Sequence, residues 1–387
     1  MNVLLLTQFF SQTRGGGEYI FKILADSLVK NNHKVWIVTN EITGEKYETH
    51  ENLKIIFVKP TLSYDSDKLP QFSDSLRYCI NATRIALGII KKEKIDIIHS
   101  NNFAPALSGA VLGSITSRPH ILTIYDIFSL CRKDFWQRWG EQNSASWISV
   151  LLGPFFEKLI LKLKHDGIHT ISEATRDDLV SFGAKKPVHV IPPTIDLHHE
   201  DQDFTINPLQ FVYIGRLVFY KNLEVVIRAI KIVRDMEPNV KLVVVGNGPH
   251  KKYLEGLIEN LGLQSNVEFR GYVDEVEKTS LIGNSNAMVF PSTCEGFGLV
   301  ILEAFSFGRP VLVSDIRPMS DIVIDKKNGH VLDPQDERCW AEQMLRIIKK
   351  PSDASTMGKN GKELLRKSYS QELMYHKVID MYTGVLS

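Results

Sequence analysis

The residues with the clearest chemical potential lie in the segment PSTCEGFGLVILEA, positions 291–304, which follows directly on the apolar run Ala287–Phe290. Gly296 and Gly298 let the backbone turn tightly and come close to a ligand. A helix is predicted to start near Gly298, and its unpaired N–H groups and dipole favour a phosphate there. Glu295 stands in the loop and Glu303 inside the helix. Two carboxylates can thus reach opposite ends of one ligand whose phosphates rest between them. A bare pair of glutamates would read as a solvated loop residue and an ordinary helical one. The strand, the two glycines and the helix around this pair favour the binding reading.

Other chemistries find less support. No His, Cys, Asp or Glu cluster has metal-ligand spacing, so no protein-held metal is expected. Cys79, Cys131, Cys294 and Cys339 contain no CxxC pair, and so few cysteines in a long chain suggest a reducing compartment. His99 closes an apolar run and could act as a base by position, yet a satisfied core or cap histidine is the expected state. No G-x-G-x-x-G follows the first strand, which argues against a dinucleotide-dependent oxidoreductase. The 387 residues carry 46 Lys+Arg against 45 Asp+Glu, a net charge of +1. The charges are spread evenly over both halves, so nothing points to a nucleic-acid partner. With 43% hydrophobic and 24% charged residues, the chain is globular rather than disordered. It has no 18-residue apolar stretch, and Val3–Thr7 is too short for a signal peptide, so a cytoplasmic protein is expected. Residues 133–165 are dense in aromatics, among them Phe135, Trp136, Trp139, Trp147, Phe155 and Phe156, followed by Lys158, Lys162 and Lys164. They read as an acceptor wall or a peripheral membrane contact on one view and as core packing on the other. Core packing is favoured for the later part, and the tryptophans are left between the two.

The elements that must position the glutamates are short apolar runs alternating with helical patterns. Val3–Thr7, Val35–Val38, Ile55–Val58, Ile95–Ile98, Ile121–Ile124, Ile168–Ile171 and Val188–Ile191 are predicted strands. Near-continuous apolar strands between helices indicate a parallel sheet covered on both faces. The pattern restarts after the polar stretch 198–209, with strands at 211–215, 242–246, 267–269, 287–290 and 310–313. This predicts an α/β protein of two doubly wound, Rossmann-like domains facing across a cleft. The first spans 1–197, a linker 198–209, and the second 210–365. A closing helix over 366–387 is placed to pack back on the first domain. Ligands in such sheets sit beyond the carboxyl ends of the strands.

The Glu-x7-Glu segment resembles the donor-sugar motif of retaining glycosyltransferases of family 4, which have the GT-B fold. Further matches run in order along nearly the whole chain: GGGE at 15–18, YIGRLVFYKN at 213–222, VVVGNGP at 243–249 and NGH at 328–330. The Glu-x7-Glu and Gly-Arg…Lys segments together are specific, whereas the glycine turns alone would be weak. The resemblance implies a metal-independent hexosyl- or glycosyltransferase that needs no cofactor. It would move a sugar from a nucleotide-diphosphate donor to a saccharide, glycan or lipid-linked acceptor, with retention.

The same resemblance implies roles for individual residues. Arg216 and Lys221 would hold the donor diphosphate and neutralise the leaving group, a task two fixed cations can perform. Glu303 would bind the ribose hydroxyls and Glu295 the transferred sugar. Backbone N–H groups near Gly298 and Leu299 would touch phosphate. Gly15, Gly16 and Gly17 would let the first loop approach donor and acceptor, and Gly215 and Gly246 end strands at the nucleotide. One departure stands out: many members carry His-Asp where this chain has Tyr125-Asp126, so Tyr125 takes the place of a sugar-contacting histidine. A phenol can still donate a hydrogen bond. Two rival readings are an epimerase of the same fold and a catalytically weak sugar-nucleotide-binding protein.

Overall fold

The computed structural model describes residues 1–11, 16–44, 47, 49–62, 72–143, 147–196 and 204–387. It consists of two compact units, the first made of residues 1–136, 146–194 and 371–387, the second of 137–145 and 195–370.

The first unit is built on seven strands: β1 (Asn2–Leu6), β2 (Lys34–Ile42), β3 (Leu53–Leu62), β4 (Ile97–Asn101), β5 (His120–Ile124), β6 (Gly167–Thr170) and β7 (Val188–Val190). All pair in parallel, in the order β3-β2-β1-β4-β5-β6-β7. Alternation along β1 divides the core, because successive side chains point to opposite faces. Val3 and Leu5 pack with helix Gly16–Lys30 and with the last helix, Gln371–Leu386. Leu4 and Leu6 pack with helices Phe72–Glu93 and Ala104–Thr116. The second of these also shares a cluster with β5, β6 and helices Trp147–Ile160 and Glu173–Phe182, through Ala106, Leu122, Ile160, Ile168 and Leu179.

The second unit carries β8 (Asn207–Ile214), β9 (Lys241–Val245), β10 (Val267–Gly271), β11 (Ser285–Phe290), β12 (Val311–Ser314) and β13 (Gly329–Leu332). They form a parallel sheet in the order β10-β9-β8-β11-β12-β13. Helix Leu223–Arg234 shows how pattern becomes packing: Leu223, Val226, Ile227, Ile230 and Val233 are buried at helical spacing. In both sheets the order reverses beside the first strand, between β1 and β4 and between β8 and β11. Those reversals are where ligands are received in doubly wound sheets.

The predicted α/β class with two Rossmann-like sheets is thus observed, with differences at the edges. The strand predicted at 95–98 is β4, shifted two residues onward. β8 begins at Asn207, inside the stretch read as a linker, while 197–203 lie outside the described residues. β13, which the sequence pattern did not single out, extends the second sheet. The closing helical stretch is two helices, Pro351–Ser368 and Gln371–Leu386, interrupted at Tyr369 and Ser370. Among the described residues, no helix is long and apolar enough to cross a membrane.

Candidate functional site

At the carboxyl end of β8 the chain passes Gly215 and Arg216 and enters a single turn, Phe219–Lys221. The end of β9 lies alongside, where Gly246 has φ 124°. A Cβ on Gly246 would collide with the backbone carbonyl of Gly215. Only glycine there allows the two strand ends to approach each other this closely. Arg216 is half-buried, and its carbonyl accepts a hydrogen bond from the Tyr213 hydroxyl at 3.1 Å.

From β11 the loop 291–298 folds over the same turn. The Tyr220 carbonyl accepts from the Thr293 amide at 2.7 Å, from the Thr293 hydroxyl at 3.1 Å and from the Ser292 hydroxyl at 3.2 Å. This clasp brings Glu295 against Lys221, and the two form an ion pair with side chains only 11% and 15% exposed. The Lys221 ammonium also lies 5.0 Å from the centre of the Phe290 ring, within cation–π range. Burial raises the Tyr213 hydroxyl pKa well above its ordinary value, and the Glu295 charge adds to this.

Gly298, at φ 93°, caps helix Leu299–Ser306 with no side-chain hydrogen bond. Phe290 and Ile301 crowd the place where a Cβ would stand, so the left-handed turn and the packing both call for glycine. The amides of Leu299 and Val300 open this helix, where N–H groups have no partner in the preceding turn. Glu303 lies one turn further. Its Oε1 accepts from Lys278 Nζ at 3.2 Å, and Lys278 also meets Glu275 at 3.0 Å. Burial opposes the charge on Lys278, yet the two carboxylates outweigh it and hold its pKa above the usual value. Glu303 Oε2 is buried and has no hydrogen-bond partner among the described residues. A buried acceptor without a partner costs stability unless something supplies a donor.

The second unit therefore brings Lys221 and Glu295 together directly. It places Arg216, Gly215 and Gly246 at the neighbouring strand ends, and Gly298, Leu299 and Glu303 on one loop and helix. Lys278 was not anticipated. In the sequence it reads as an ordinary i, i+3 surface partner of Glu275, and nothing there points to Glu303 on another helix.

The first unit carries the remaining candidates. Gly16 and Gly17 open helix Gly16–Lys30, and Gly15 lies outside the described residues. Tyr125, just beyond β5, turns toward this helix start and donates its hydroxyl to the Gly17 carbonyl at 3.1 Å. Burial raises its pKa well above that of a free phenol, and the nearby Glu18 adds to the effect. The hydroxyl therefore stays protonated near neutrality and cannot act as a base there. Tyr125→Phe removes one hydrogen bond, about 1 kcal/mol, so transfer should slow by no more than about tenfold. A thousandfold loss in steady-state kinetics would make the phenol essential rather than positional.

His99 is fully buried and bonded to Tyr382 and Thr123, the satisfied core histidine that was expected. The aromatic stretch divides. Phe135 is buried and stacks on Phe128 with ring centres 4.6 Å apart, and Trp136 donates to the Ser129 hydroxyl at 3.0 Å. Phe155 is exposed instead, so the core packing favoured for the later part does not hold for it, and Trp147, left between the two readings, is exposed as well. They stand on the side of their helix that carries exposed Leu151, away from buried Ile160.

Comparison with known proteins covers both units. Residues 195–364 match the family model described as Glycosyl transferases group 1, and residues 14–199 match that of Glycosyltransferase Family 4. An uncharacterized glycosyltransferase of Methanocaldococcus jannaschii is 24% identical over 400 residues, covering 99% of this chain and 98% of its own. The D-rhamnosyltransferase WbpZ of Pseudomonas aeruginosa is 30% identical over 208 residues, 53% of this chain and 52% of its own. Among solved structures, sucrose-phosphate synthase from Thermosynechococcus elongatus superposes with a TM-score of 0.80 at 21% identity, covering 99% and 98% of the two chains. Anabaena HepE in complex with UDP-glucose gives 0.74 at 17% identity, covering 99% and 100%. These likenesses establish the GT-B fold.

Proposed function

This chain belongs to glycosyltransferase family 4, and from that premise we propose that its second unit binds a nucleotide-diphosphate sugar whose glycosyl group passes, with retention, to an acceptor hydroxyl. The acceptor is a saccharide, a glycan or a lipid-linked intermediate. The observation that carries the donor assignment is Glu303. Its Oε2 is buried without a partner among the described residues, one helical turn from the amides that open its helix, so a ribose hydroxyl would satisfy it while the phosphates meet those amides. That HepE was solved with UDP-glucose supports a donor of this class.

In this reading Arg216 and Lys221 face the diphosphate, and Glu295 releases Lys221 in part to contact the sugar. The acceptor oxygen forms a bond to the anomeric carbon as the bond from that carbon to the phosphate oxygen breaks. The proton of the acceptor passes to the departing phosphate, and the two cations stabilise the charge left on it. Nothing found favours the epimerase alternative.

Three measurements test this. A thermal-shift screen against nucleotide sugars should find a donor, since a ligand at a hundred times its Kd adds about 2.7 kcal/mol. Glu303→Gln should then weaken nucleoside-diphosphate binding roughly tenfold or more, the worth of a hydrogen bond to a charged group. Unchanged affinity by calorimetry would remove the ribose role. The proton NMR coupling of the product's anomeric centre reports retention or inversion.

Fixed cations at the leaving group also predict the outcome of chelation. Excess EDTA should leave initial rates largely intact. Complete loss that manganese or magnesium restores would assign the charge stabilisation to a metal instead.

A further inference from the structure

Four helices pack on one face of the first unit's sheet, Glu173–Phe182 among them. The other three, Phe72–Glu93, Ala104–Thr116 and Trp147–Ile160, each show solvent a row of unusual make-up. Helix Ala104–Thr116 is the middle one. It is so deeply set that its outward line is short, and that line is apolar: Leu107, Val111 and Ile115 are 37%, 49% and 58% exposed. No charged residue occurs in the helix. Helix Phe72–Glu93 lies beside it. Cys79 Sγ donates to the Ala104 carbonyl at 3.0 Å, and the Ser108 hydroxyl donates to the Cys79 carbonyl at 3.3 Å. These bonds set Leu76 and Ile80, both more than half exposed, next to the Leu107 line. The same outward side of that helix carries Arg77, Arg84 and Lys91, all exposed. On the other flank, helix Trp147–Ile160 exposes Trp147, Leu151 and Phe155 at i, i+4 and i+8, at 73%, 67% and 58%. Lys158 and Lys162 follow and are exposed.

Two features of this face decide what fits it. Its apolar rows extend across neighbouring helices, well beyond the scattered single hydrophobes of an ordinary surface. The charge exposed on these three helices is of one sign, whereas Glu173 and Asp177 are exposed on the fourth helix, beyond Lys158. Among the described exposed positions of the three helices there is no carboxylate, in a chain whose total charges nearly cancel. Asp74 and Glu93 are half-buried and paired with Arg77 and Lys54, and Glu157 is buried, accepting from the Phe128 amide. A protein partner would be expected to meet hydrogen-bonding groups in a rim of both signs. An apolar centre whose own three helices expose Arg and Lys and no carboxylate among their described residues is the complement of a bilayer interface with anionic headgroups. The aliphatic and aromatic side chains enter the acyl boundary, and the long basic side chains reach out to phosphate.

We propose that this face, formed by helices Phe72–Glu93, Ala104–Thr116 and Trp147–Ile160, docks the protein peripherally on an anionic lipid surface. The proposal does not depend on the donor assignment. It gives the aromatic stretch near 150 a use that core packing does not, and adds the Leu107–Ile115 row as its centre.

The test is co-sedimentation of the full-length protein with vesicles of phosphatidylcholine alone or mixed with phosphatidylglycerol. Binding is expected on the mixed vesicles, at least about tenfold weaker on the neutral ones, and falling with salt. Val111→Asp with Ile115→Asp should reduce partitioning by roughly tenfold or more. Arg77→Glu with Arg84→Glu should reduce it by roughly fivefold or more per residue on the mixed vesicles only. All four positions are exposed, so circular dichroism and nucleoside-diphosphate binding should stay at wild-type values in both variants. No binding to mixed vesicles, equal binding to both kinds, or wild-type binding by the Val111 and Ile115 variant would each overturn the proposal. Self-association without vesicles that the same variant abolishes would assign the face to a second copy of the chain, and would overturn it equally.

Discussion

Replacing Lys221 by methionine is expected to lower kcat/KM for transfer by roughly 10²–10³, the size of effect found when one preorganised group is removed from developing charge. The position makes the ammonium difficult to replace. The Tyr220 carbonyl next to it is clasped by three donors from Ser292 and Thr293, and the side chain runs over the Phe290 ring to Glu295. A free lysine elsewhere could not reproduce this placement, because holding a long side chain in one geometry costs side-chain entropy. The same substitution leaves Glu295 buried without its cation, which should also destabilise the second unit by about 3 kcal/mol. A loss of activity could then be mistaken for unfolding. Adding Glu295→Gln to Lys221→Met separates the two, since the neutral pair should regain much of the stability but none of the activity. Glu295→Gln alone should spare nucleoside-diphosphate binding and reduce turnover, because its partner in the proposed site is the sugar. If Lys221→Met folds normally and keeps kcat and donor KM within a few-fold of the wild type, the phosphate role of Lys221 is wrong.

Mild acid is expected to unfold the first unit selectively, through its buried histidines. Tyr382 and His99 Nδ1 are 2.7 Å apart, His99 Nε2 and Thr123 2.6 Å, Thr123 and His169 Nδ1 2.9 Å, and His169 Nε2 and the Ile191 carbonyl 3.3 Å. One proton arrangement satisfies all four contacts. His169 Nε2–H must donate to the carbonyl, so its Nδ1 accepts from Thr123. Thr123 then accepts from His99 Nε2–H, and His99 Nδ1 accepts from the Tyr382 hydroxyl. Each ring is neutral in this chain, and an added proton would have to displace a donor. Burial likewise holds His169 down to about 4 and His99 well below its ordinary value. His120, hydrogen-bonded to Ser100 and to the Lys164 carbonyl, is also held down to about 4 by burial.

A histidine depressed in the folded state contributes stability that is complete above its unfolded pKa of 6.5 and is lost as pH falls toward the folded value. His120 and His169 should each cost on the order of 3 kcal/mol between pH 6.5 and 4, with His99 adding to the loss. Urea unfolding monitored from pH 7 to pH 4 should show the first unit's transition moving steeply and the second's much less. His169→Gln should lower that slope by about one proton. A transition that does not move across this range would mean that the histidines are accessible or charged. Because Tyr382 belongs to the last helix, acid should also free that helix early, which its hydrogen-exchange protection would report.

The order of strands and helices was legible in the sequence because period and apolar content are properties of neighbouring residues. The turns at Gly246 and Gly298 were legible for a related reason, since a glycine at the end of an apolar run marks a backbone state that other residues resist. The Glu295–Glu303 spacing set a loop carboxylate and a helical one on consecutive elements, and the resemblance it carries is matched by both family models. Contacts between distant residues could not be read this way. Lys221 meets Glu295 because β8 and β11 are neighbours in the sheet, and Lys278 reaches Glu303 because two successive helices pack side by side. Tyr125 meets Gly17 across 108 positions of sequence. Exposure was equally hidden. Ala104–Thr116 is apolar along its whole length, so its sequence cannot say which line of residues faces away from the sheet. Local structure depends on the chain's own neighbours. Which charge finds which partner, and which hydrophobic row meets solvent, depends on the order in which the strands assemble, and only the folded units determine that.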